Sequence, residues 1–392
     1  MATDMVIAGG GIGGLAAALA CGRSGHRVHL IEQAAQFGEV GAGIQLGPNV
    51  GRVLESWGLT DALNAVAATP QALQVRSATS AQVLATLPLG ETMVQRYGAA
   101  YRTIARADLH GILLQAVQSL PDITLQLGTA VTPVNQDPGG VTLRTPLGQF
   151  LRTPLLIGAD GVWSRIRSSV VQDGKPRVTG HLAYRAMVPQ ASLPAALRSD
   201  VVTAWMGPRF HAVQYPVHRG EWLNVVVIVQ GQVYGDPSHW DLSANPDELR
   251  RRISGAARPL MELVDAIPAW RLWALSDRAP MQSAAEHAKG RIALLGDAAH
   301  PMRPYLAQGA GMAIEDAAAL AQSLAQSTDI PAALQQYAQV RWQRNARVQA
   351  RAVRNGEIFH LDGLLAAGRN AALRLLGAKL LDVPWLYRGM PD

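Results

Sequence analysis

Short apolar runs in this chain stop repeatedly at glycine or an acid. Residues 5–8 (Met-Val-Ile-Ala) break at once into Gly9-x-Gly11-x-x-Gly14. An alanine-rich stretch with helical spacing follows as far as Arg23, and a second apolar run, 28–31, ends at Glu32. That order predicts strand, tight turn, helix and strand. Residues 155–157 stop at Gly158-Ala159-Asp160-Gly161, and residues 292–295 stop at Gly296-Asp297. Beyond Asp297, Pro301 and Pro304 forbid regular structure. A glycine-rich turn through Gly309, Ala310 and Gly311 then leads into an alanine-rich helix. A further helix opens at Arg106, with Leu109, Leu113, Leu114 and Val117 on its apolar side.

Between residues 178 and 278 the period shortens to two. Runs at 201–205, 211–217 and 222–229 alternate apolar with polar, and Gly207-Pro208, Arg219-Gly220 and Gly231 separate them. This predicts an antiparallel sheet inserted into an α/β frame. On the second run His211, Val213 and Tyr215 fall on one face, so a histidine and a phenol can address one ligand. From Pro331 the pattern is helical, and Arg341, Arg344, Arg347, Arg351 and Arg354 recur at spacings of 3, 3, 4 and 3. That stripe is expected to be a solvated or interface-rim face, with anion or lipid-headgroup binding as the alternative. Residues 355–361 are expected to break the helix.

At 392 residues, 48% hydrophobic, the chain can bury a large core in two domains. Its net charge is 35 − 29 = +6, nearly all from arginine. A basic balance suits anionic small molecules, and no nucleic-acid-binding motif accompanies it. Cys21 is the single cysteine, which excludes an intramolecular disulfide and a cysteine metal site. No zinc-ligand spacing is visible, so no metal is expected. The apolar run 5–20 carries five glycines and no basic leader, which argues against a membrane span. A soluble, cytoplasmic protein is the expectation.

The N-terminal pattern is a dinucleotide fingerprint in its required context. Gly9 makes the turn, Gly11 lets backbone approach a pyrophosphate, and Gly14 lets helix pack on strand, with Ile12 and Gly13 between them. Glu32 is placed to take ribose hydroxyls. On physics alone FAD and NAD fit equally. The stretch from Ile292 to Gly311 offers free backbone N–H groups and a helix N-terminus to something anionic, with Asp297 placed for sugar hydroxyls.

Gly296-Asp297-Ala298-Ala299-His300-Pro301 followed by Gln308-Gly309-Ala310-Gly311 resembles the second FAD motif of the single-component flavoprotein aromatic hydroxylases, the 3-hydroxybenzoate and salicylate hydroxylase branch. Asp160-Gly161-x-x-Ser164-x-x-Arg167 is similar to that family's middle motif, which serves FAD and the reduced nicotinamide cofactor. Arg106-x-Asp108-Leu109 resembles the segment whose arginine reaches the flavin nucleotide, although Ala105 stands where the family has histidine. Gly41-Ala42-Gly43-Ile44 looks like the segment beside the flavin ring. Gln45 replaces the histidine of the 6-hydroxynicotinate branch, which favours a benzenoid substrate.

The resemblance implies an α/β fold: a Rossmann-like FAD-binding domain of the 4-hydroxybenzoate hydroxylase type, an antiparallel substrate sheet and C-terminal helices. The implied division gives residues 1–75, 99–177 and 279–328 to FAD, 76–98 and 178–278 to the substrate domain, and 329–392 to helices. It implies bound FAD, NADH or NADPH as co-substrate, O2, a small phenolic acid, and a second copy of the chain as the one protein partner. The chemistry is attack by a flavin hydroperoxide on an electron-rich ring carbon. A free phenol titrates near ~10, so a base must take its proton. His211 is that base in the implied mechanism, Tyr215 a relay or orienting donor, and Gln308 a donor to a substrate oxygen, while His300 is structural. The first expectation is a 3-hydroxybenzoate 6-hydroxylase. A decarboxylating salicylate hydroxylase and a hydroxypyridine carboxylate hydroxylase are the alternatives. Outside the class stand an NAD-dependent dehydrogenase and a non-catalytic flavoprotein.

Overall fold

The computed structural model describes residues 4–38, 42–232, 236 and 242–390. The chain divides into two compact units. One comprises Met1–Glu39, Leu109–Arg177 and Asp277–Ala352, and the other Val40–Asp108, Val178–Ser276 and Val353–Asp392. Residues 40–75 and 99–108, expected with the nucleotide-binding segments, therefore group with the large sheet. The C-terminal helical stretch is shared between the units.

In the first unit a six-stranded sheet runs in the order Ala288–Lys289, Ile292–Leu294, Leu156–Gly158, Asp4–Ala8, Arg27–Ile31, Ile123–Gln126. The four pairings inside it are parallel and only the Ala288–Lys289 edge is antiparallel. Helices Ile12–Arg23 and Gly309–Gln326 pack on each other. Both are built from alanine, glycine and leucine, which allows close approach. Each glycine-or-acid stop seen in the sequence lies at the carboxyl end of a strand of this sheet, where open α/β sheets hold their ligands. A three-stranded sheet, Thr132–Asp137, Gly140–Arg144 and Phe150–Thr153, completes the unit.

The second unit holds an eight-stranded sheet in the order Leu242–Ser243, Arg271–Asp277, Arg177–Pro189, Trp222–Gln230, Phe210–Val217, Val202–Gly207, Ala72–Ser77, Val83–Pro88. The expected antiparallel character holds across the centre. Val202–Gly207 pairs parallel with Ala72–Ser77, so the sheet as a whole is mixed. One face is the core. Leu182, Tyr184, Ala186 and Val188 alternate toward it, as do Leu223, Val225, Val227 and Val229, and they pack with Leu249, Leu260, Leu263 and Val264 of helices Pro246–Arg252 and Arg258–Asp265. The other face carries the intervening residues, among them Arg185, His211, Tyr215 and Asn224. A ribbon, Gly43–Leu46 with Arg102–Ala105, is held by hydrogen bonds from Gly43 N to Asn224 Oδ1 (2.7 Å) and from Thr103 Oγ1 to the Pro216 carbonyl.

Of two expectations from the C-terminal pattern, one is narrowed and one overturned. The expected break at 355–361 falls at the far end of that stretch: the helix runs from Ile330 to Phe359, and residues 360–362 separate it from helix Gly363–Leu376. One glycine lowers helix propensity by about 1 kcal/mol, too little for Gly356 itself to end a 30-residue helix. The arginine stripe is not a uniformly solvated face. Arg341 is fully buried and Arg344 partly so, and both pair with acids of the neighbouring helix, while Arg347 and Arg354 are exposed. No described helix is long and apolar enough to cross a membrane.

Candidate active site

The nucleotide cradle is built from backbone. Gly9 sits at φ +110°, and a Cβ there would meet the Ala159 carbonyl oxygen at 2.3 Å; at Gly14 it would meet the Gly9 carbonyl oxygen at 1.9 Å. Only glycine fits either position. Gly11 faces open space at the N-cap of helix Ile12–Arg23, where no side chain caps the N–H groups. Ile12 is buried beneath this turn, and a Cβ on Gly13 would press on Leu295. Glu32 accepts from Gly10 N (2.6 Å) and Ala34 N (2.8 Å), which fixes its carboxylate at the strand end with lone pairs remaining for a sugar.

Asp297 is the one exposed residue from Ile292 to His300 and so is presented outward from the second turn. Gly309, Ala310 and Gly311 form the first turn of helix Gly309–Gln326 and are not a separate loop; Gln308 is its buried N-cap. This is a backbone surface that an anionic nucleotide fits. Asp160 has a different local task. It accepts from Ser164 Oγ (2.5 Å), Arg165 N (2.8 Å) and Ile166 N (3.3 Å), and so caps its own turn. Arg167 donates to the carbonyls of Ala298 and Ala299, tying the middle motif to the second.

Behind the second turn lies a buried polar network that no local pattern in the chain announces. Asp316 accepts from His300 Nε2 (2.5 Å), Gly296 N (3.1 Å), Arg341 Nε (2.7 Å) and Asn345 Nδ2 (2.9 Å). Arg341 also reaches Glu315 at 2.9 Å, and Arg344 binds Glu315 through two nitrogens. Burial works against the Asp316 carboxylate, but His300 and Arg341 hold it well below the usual carboxylate range. His287, His300 and Asp316 bring possible metal-ligand atoms within 4.8 Å of one another. The contacting atoms of this set are engaged within the network, with His287 Nε2 3.0 Å from Asn345 Nδ2. His300 is fully buried and held inside this network by its bond to Asp316.

In the second unit the pairing register sets the reactive face. Arg185, Val226 and Val213 lie in one row; Ala183, Ile228 and His211 lie in the next, and Met187, Asn224 and Tyr215 on the other side. His211 and Tyr215 are both buried. Burial, reinforced by His360 and His181, pushes His211 well below the ordinary histidine value, so it is neutral at pH 7 and can accept a proton. Burial pushes the Tyr215 phenol up, so it remains protonated. Tyr101 donates to Gln45 Oε1 at 2.6 Å, and Gln45 also bonds Tyr215. With its oxygen occupied, the Gln45 amide offers Nε2–H to Tyr215, which leaves the phenol hydrogen of Tyr215 to point elsewhere. Gly43 is needed here for close approach: a Cβ would meet Tyr215 at 2.6 Å and Asn224 at 2.8 Å. Arg106 begins helix Arg106–Gln118, and its backbone N bonds the Ala42 carbonyl at 2.7 Å. Gly41 lies outside the described residues.

Two residues of this face escaped the sequence reading. Arg185 stacks its guanidinium on Trp273 at 4.0 Å, and among the described residues no carboxylate pairs with it. Burial pulls its pKa down to about 10. His360 places Nε2 2.7 Å from His211 Nδ1. Period-two alternation would have put Arg185 on the His211 face once the strand pairing was known; nothing local marks His360. A cleft of about 830 Å³ beside Arg198, Arg219 and Trp222 contains none of these groups.

Residues 2–352 match the FAD binding domain family. The chain is 37% identical over 93% of its length, and 90% of the relative's, to a 3-hydroxybenzoate 6-hydroxylase of Polaromonas naphthalenivorans. Among solved structures it resembles Klebsiella pneumoniae HpxO complexed with FAD and uric acid, at TM-score 0.85 and 26% identity, covering 97% of this chain and 94% of that one. A salicylate hydroxylase substrate complex gives TM-score 0.80 and 26% identity, covering 100% and 99%. The glycine turns that admit only backbone and the neutral histidine on its sheet thus find their setting: the chain belongs to the FAD binding domain family, among its FAD-dependent monooxygenases.

Proposed function

We propose that the protein hydroxylates a phenolic benzoate, with 3-hydroxybenzoate converted to gentisate as the first choice, using FAD, NADH or NADPH, and O2. Bound FAD supplies an electrophilic oxygen donor once reduced by the nicotinamide; the chain's own residues prepare the ring. The observation that carries this reading is a buried His211 and a buried Tyr215 on one sheet face with Arg185, which stacks on Trp273 and, among the described residues, meets no carboxylate. His211 takes the phenol proton, which sends charge to the ring carbons ortho and para to the oxygen. Tyr215 donates to and orients the resulting oxygen. Arg185 receives the carboxylate, since a cation–carboxylate hydrogen bond completes a half-buried guanidinium that no carboxylate among the described residues meets. Gln308 keeps the role the motif implies, a donor to a substrate oxygen. The sheet face excludes water around these groups.

An NADH-oxidation screen over hydroxybenzoates, with product identification, tests the reading. Gentisate from 3-hydroxybenzoate supports it. Catechol from salicylate would transfer the assignment to decarboxylating hydroxylation, and turnover of 6-hydroxynicotinate alone would overturn the benzenoid choice. His211→Ala should keep its flavin and lose about 10²- to 10⁴-fold in rate at pH 7, with partial recovery at high pH as the substrate ionises unaided. Unchanged turnover would remove His211 from this role. Asp297→Ala and Gly11→Ala should each yield colourless protein.

The same reading includes a cytoplasmic homodimer. Leu364, Leu365, Leu375, Leu376 and Leu380 are exposed on helices Gly363–Leu376 and Ala378–Leu381, an apolar face that a second copy can cover. Sedimentation at micromolar concentration checks it, and a monomer would discard it.

A further inference from the structure

The last described helix, Pro384–Tyr387, has four residues, too few to hold itself. Distant parts of the second unit hold it instead. Carbonyls at a helix end have no intrahelical donor, and Arg52, on helix Pro48–Ser56, supplies one to two such ends at once. It donates to the carbonyl of Tyr97, the last residue of helix Gly90–Tyr97, and to the carbonyls of Tyr387 and Arg388. Asp382 makes a second tie. Its carboxylate accepts from Tyr97 Oη at 2.6 Å and from Arg96 Nη1 at 2.7 Å.

These ties seat the Tyr387 ring, which is buried. It meets the Tyr97 ring at 5.5 Å and the Tyr101 ring edge-on at 6.2 Å. A Cβ on Gly47, the residue after strand Gly43–Leu46, would stand 3.3 Å from two carbons of the same ring. Tyr387 therefore packs both on the end of the strand that carries Gln45 and on the tyrosine that holds Gln45. Tyr101 Oη donates to Gln45 Oε1 at 2.6 Å, and Gln45 bonds Tyr215.

A side-chain amide has a donor end and an acceptor end. Tyr101 takes the acceptor end of Gln45, so Nε2–H is what Tyr215 meets, and the Tyr215 hydrogen is left for a substrate oxygen. With Tyr101 displaced, the amide is free to turn. Its oxygen then competes for the Tyr215 hydrogen, and the substrate loses a donor. The direction of this short chain of hydrogen bonds thus depends on where Tyr101 stands.

We infer that residues 382–389 are a positioning strap for the substrate site. Arg52 and Asp382 anchor the strap, Tyr387 seats Tyr101, and Tyr101 fixes Gln45 so that Tyr215 donates to the substrate. This inference rests on the hydroxylase reading, which gives Tyr215 that task. Arg52, Asp382 and Tyr387 are positioning residues and need not touch the substrate.

Tyr387→Leu keeps an apolar side chain and removes the ring. The holoenzyme should retain its flavin, and KM for 3-hydroxybenzoate should rise about 10-fold, as for one lost hydrogen bond. A larger share of the NADH consumed should end as H2O2, because a loosely held ring meets the oxygen donor less often. Tyr387→Phe keeps the ring and should restore wild-type KM. Arg52→Met leaves the ring in the chain and loosens its anchors; it should move KM the same way by a smaller factor, and it reads the strap even where Tyr387→Leu does not fold. A double-mutant cycle separates the strap from general loosening. In Tyr101→Phe the hold on Gln45 is already gone, so adding Tyr387→Leu should change KM less than about 2-fold. A full further rise in that background would overturn the strap, as would wild-type KM and coupling in both Tyr387→Leu and Arg52→Met; either result leaves the hydroxylase reading intact. A wild-type enzyme inert toward every phenolic acid would sink that reading and the strap with it.

Discussion

Each unit of the molecule draws an arginine inward, Arg341 completely and Arg185 partly, and the two are treated in opposite ways. Arg341 is fully buried in the first unit and is met by Asp316, Glu315 and Asn345 within 3.0 Å. Burial alone would lower its pKa, but the two carboxylates outweigh that and raise it. Arg185, in the second unit, has the face of Trp273 and, among the described residues, no carboxylate; burial wins and its pKa falls to about 10. A buried charge with its counter-charges present completes a structure. A half-buried charge without one is an unfinished interaction that a ligand can complete. The first arrangement stiffens the turn that carries Asp297, through Asp316, His300 and Gly296. The second leaves a gap of the right sign for a carboxylate.

The same substitution in both places puts this contrast at risk. Arg341→Met leaves Asp316 and Glu315 buried with fewer partners, and breaking a buried pair from one side costs about 3–5 kcal/mol. Urea unfolding should show that loss, and the protein should purify with little flavin. A loss below about 1 kcal/mol would mean the network is not what holds the turn. Arg185→Met should behave conversely. Removing an uncompensated cation should leave unfolding stability unchanged or raised, while KM for the hydroxybenzoate rises roughly 10- to 100-fold, as expected for a charged hydrogen bond worth about 1.5–3 kcal/mol. A neutral analogue, 3-hydroxybenzyl alcohol, should bind the two enzymes alike. If Arg185→Met unfolds as readily as Arg341→Met, the difference drawn between the two sites disappears.

What the sequence disclosed divides along the same line. The glycine turns were legible because backbone turns leave local signatures: Gly9 and Gly14 are required by geometry, since a Cβ at either would meet a carbonyl oxygen. His211 and Tyr215 were legible as a pair because alternation puts residues i and i+4 of a strand on one face. Arg185, Gln45 and Tyr101 join them only through strand pairing and the ribbon contact, which no local pattern encodes. The Arg341 stripe misled because helical spacing shows that residues share a face without showing what covers it. Here the cover is Glu315 and Asp316, 26 and 25 positions earlier. Asp160 was assigned to cofactor by resemblance, and its bonds to Ser164, Arg165 and Ile166 add a role within its own turn.

Histidine offers a finer version of the comparison, because each unit also buries one in neutral form. Burial lowers His287 to about 3, beside Asp316, His300 and Arg341, and pushes His211 well below its ordinary value. An unfolded histidine titrates near ~6.5. Below that pH the unfolded chain binds a proton that the folded chain refuses, so stability is fully present above about 6.5 and falls as the solution is acidified. Each such group adds at most about 1.4 kcal/mol per pH unit to the slope. His287→Gln, which keeps an acceptor for Asn345, should remove one proton's share of the slope between pH 6.5 and 5 and leave the pH dependence of hydroxylation as it was. His211→Gln should remove an equal share of the slope, but it should also abolish most turnover at pH 7. Stability measured against pH would therefore treat the two rings alike, and only catalysis would tell them apart. If His287→Gln shifted the hydroxylation profile as His211→Gln does, the buried network would be part of the proton chemistry, and pairing would no longer separate support from function.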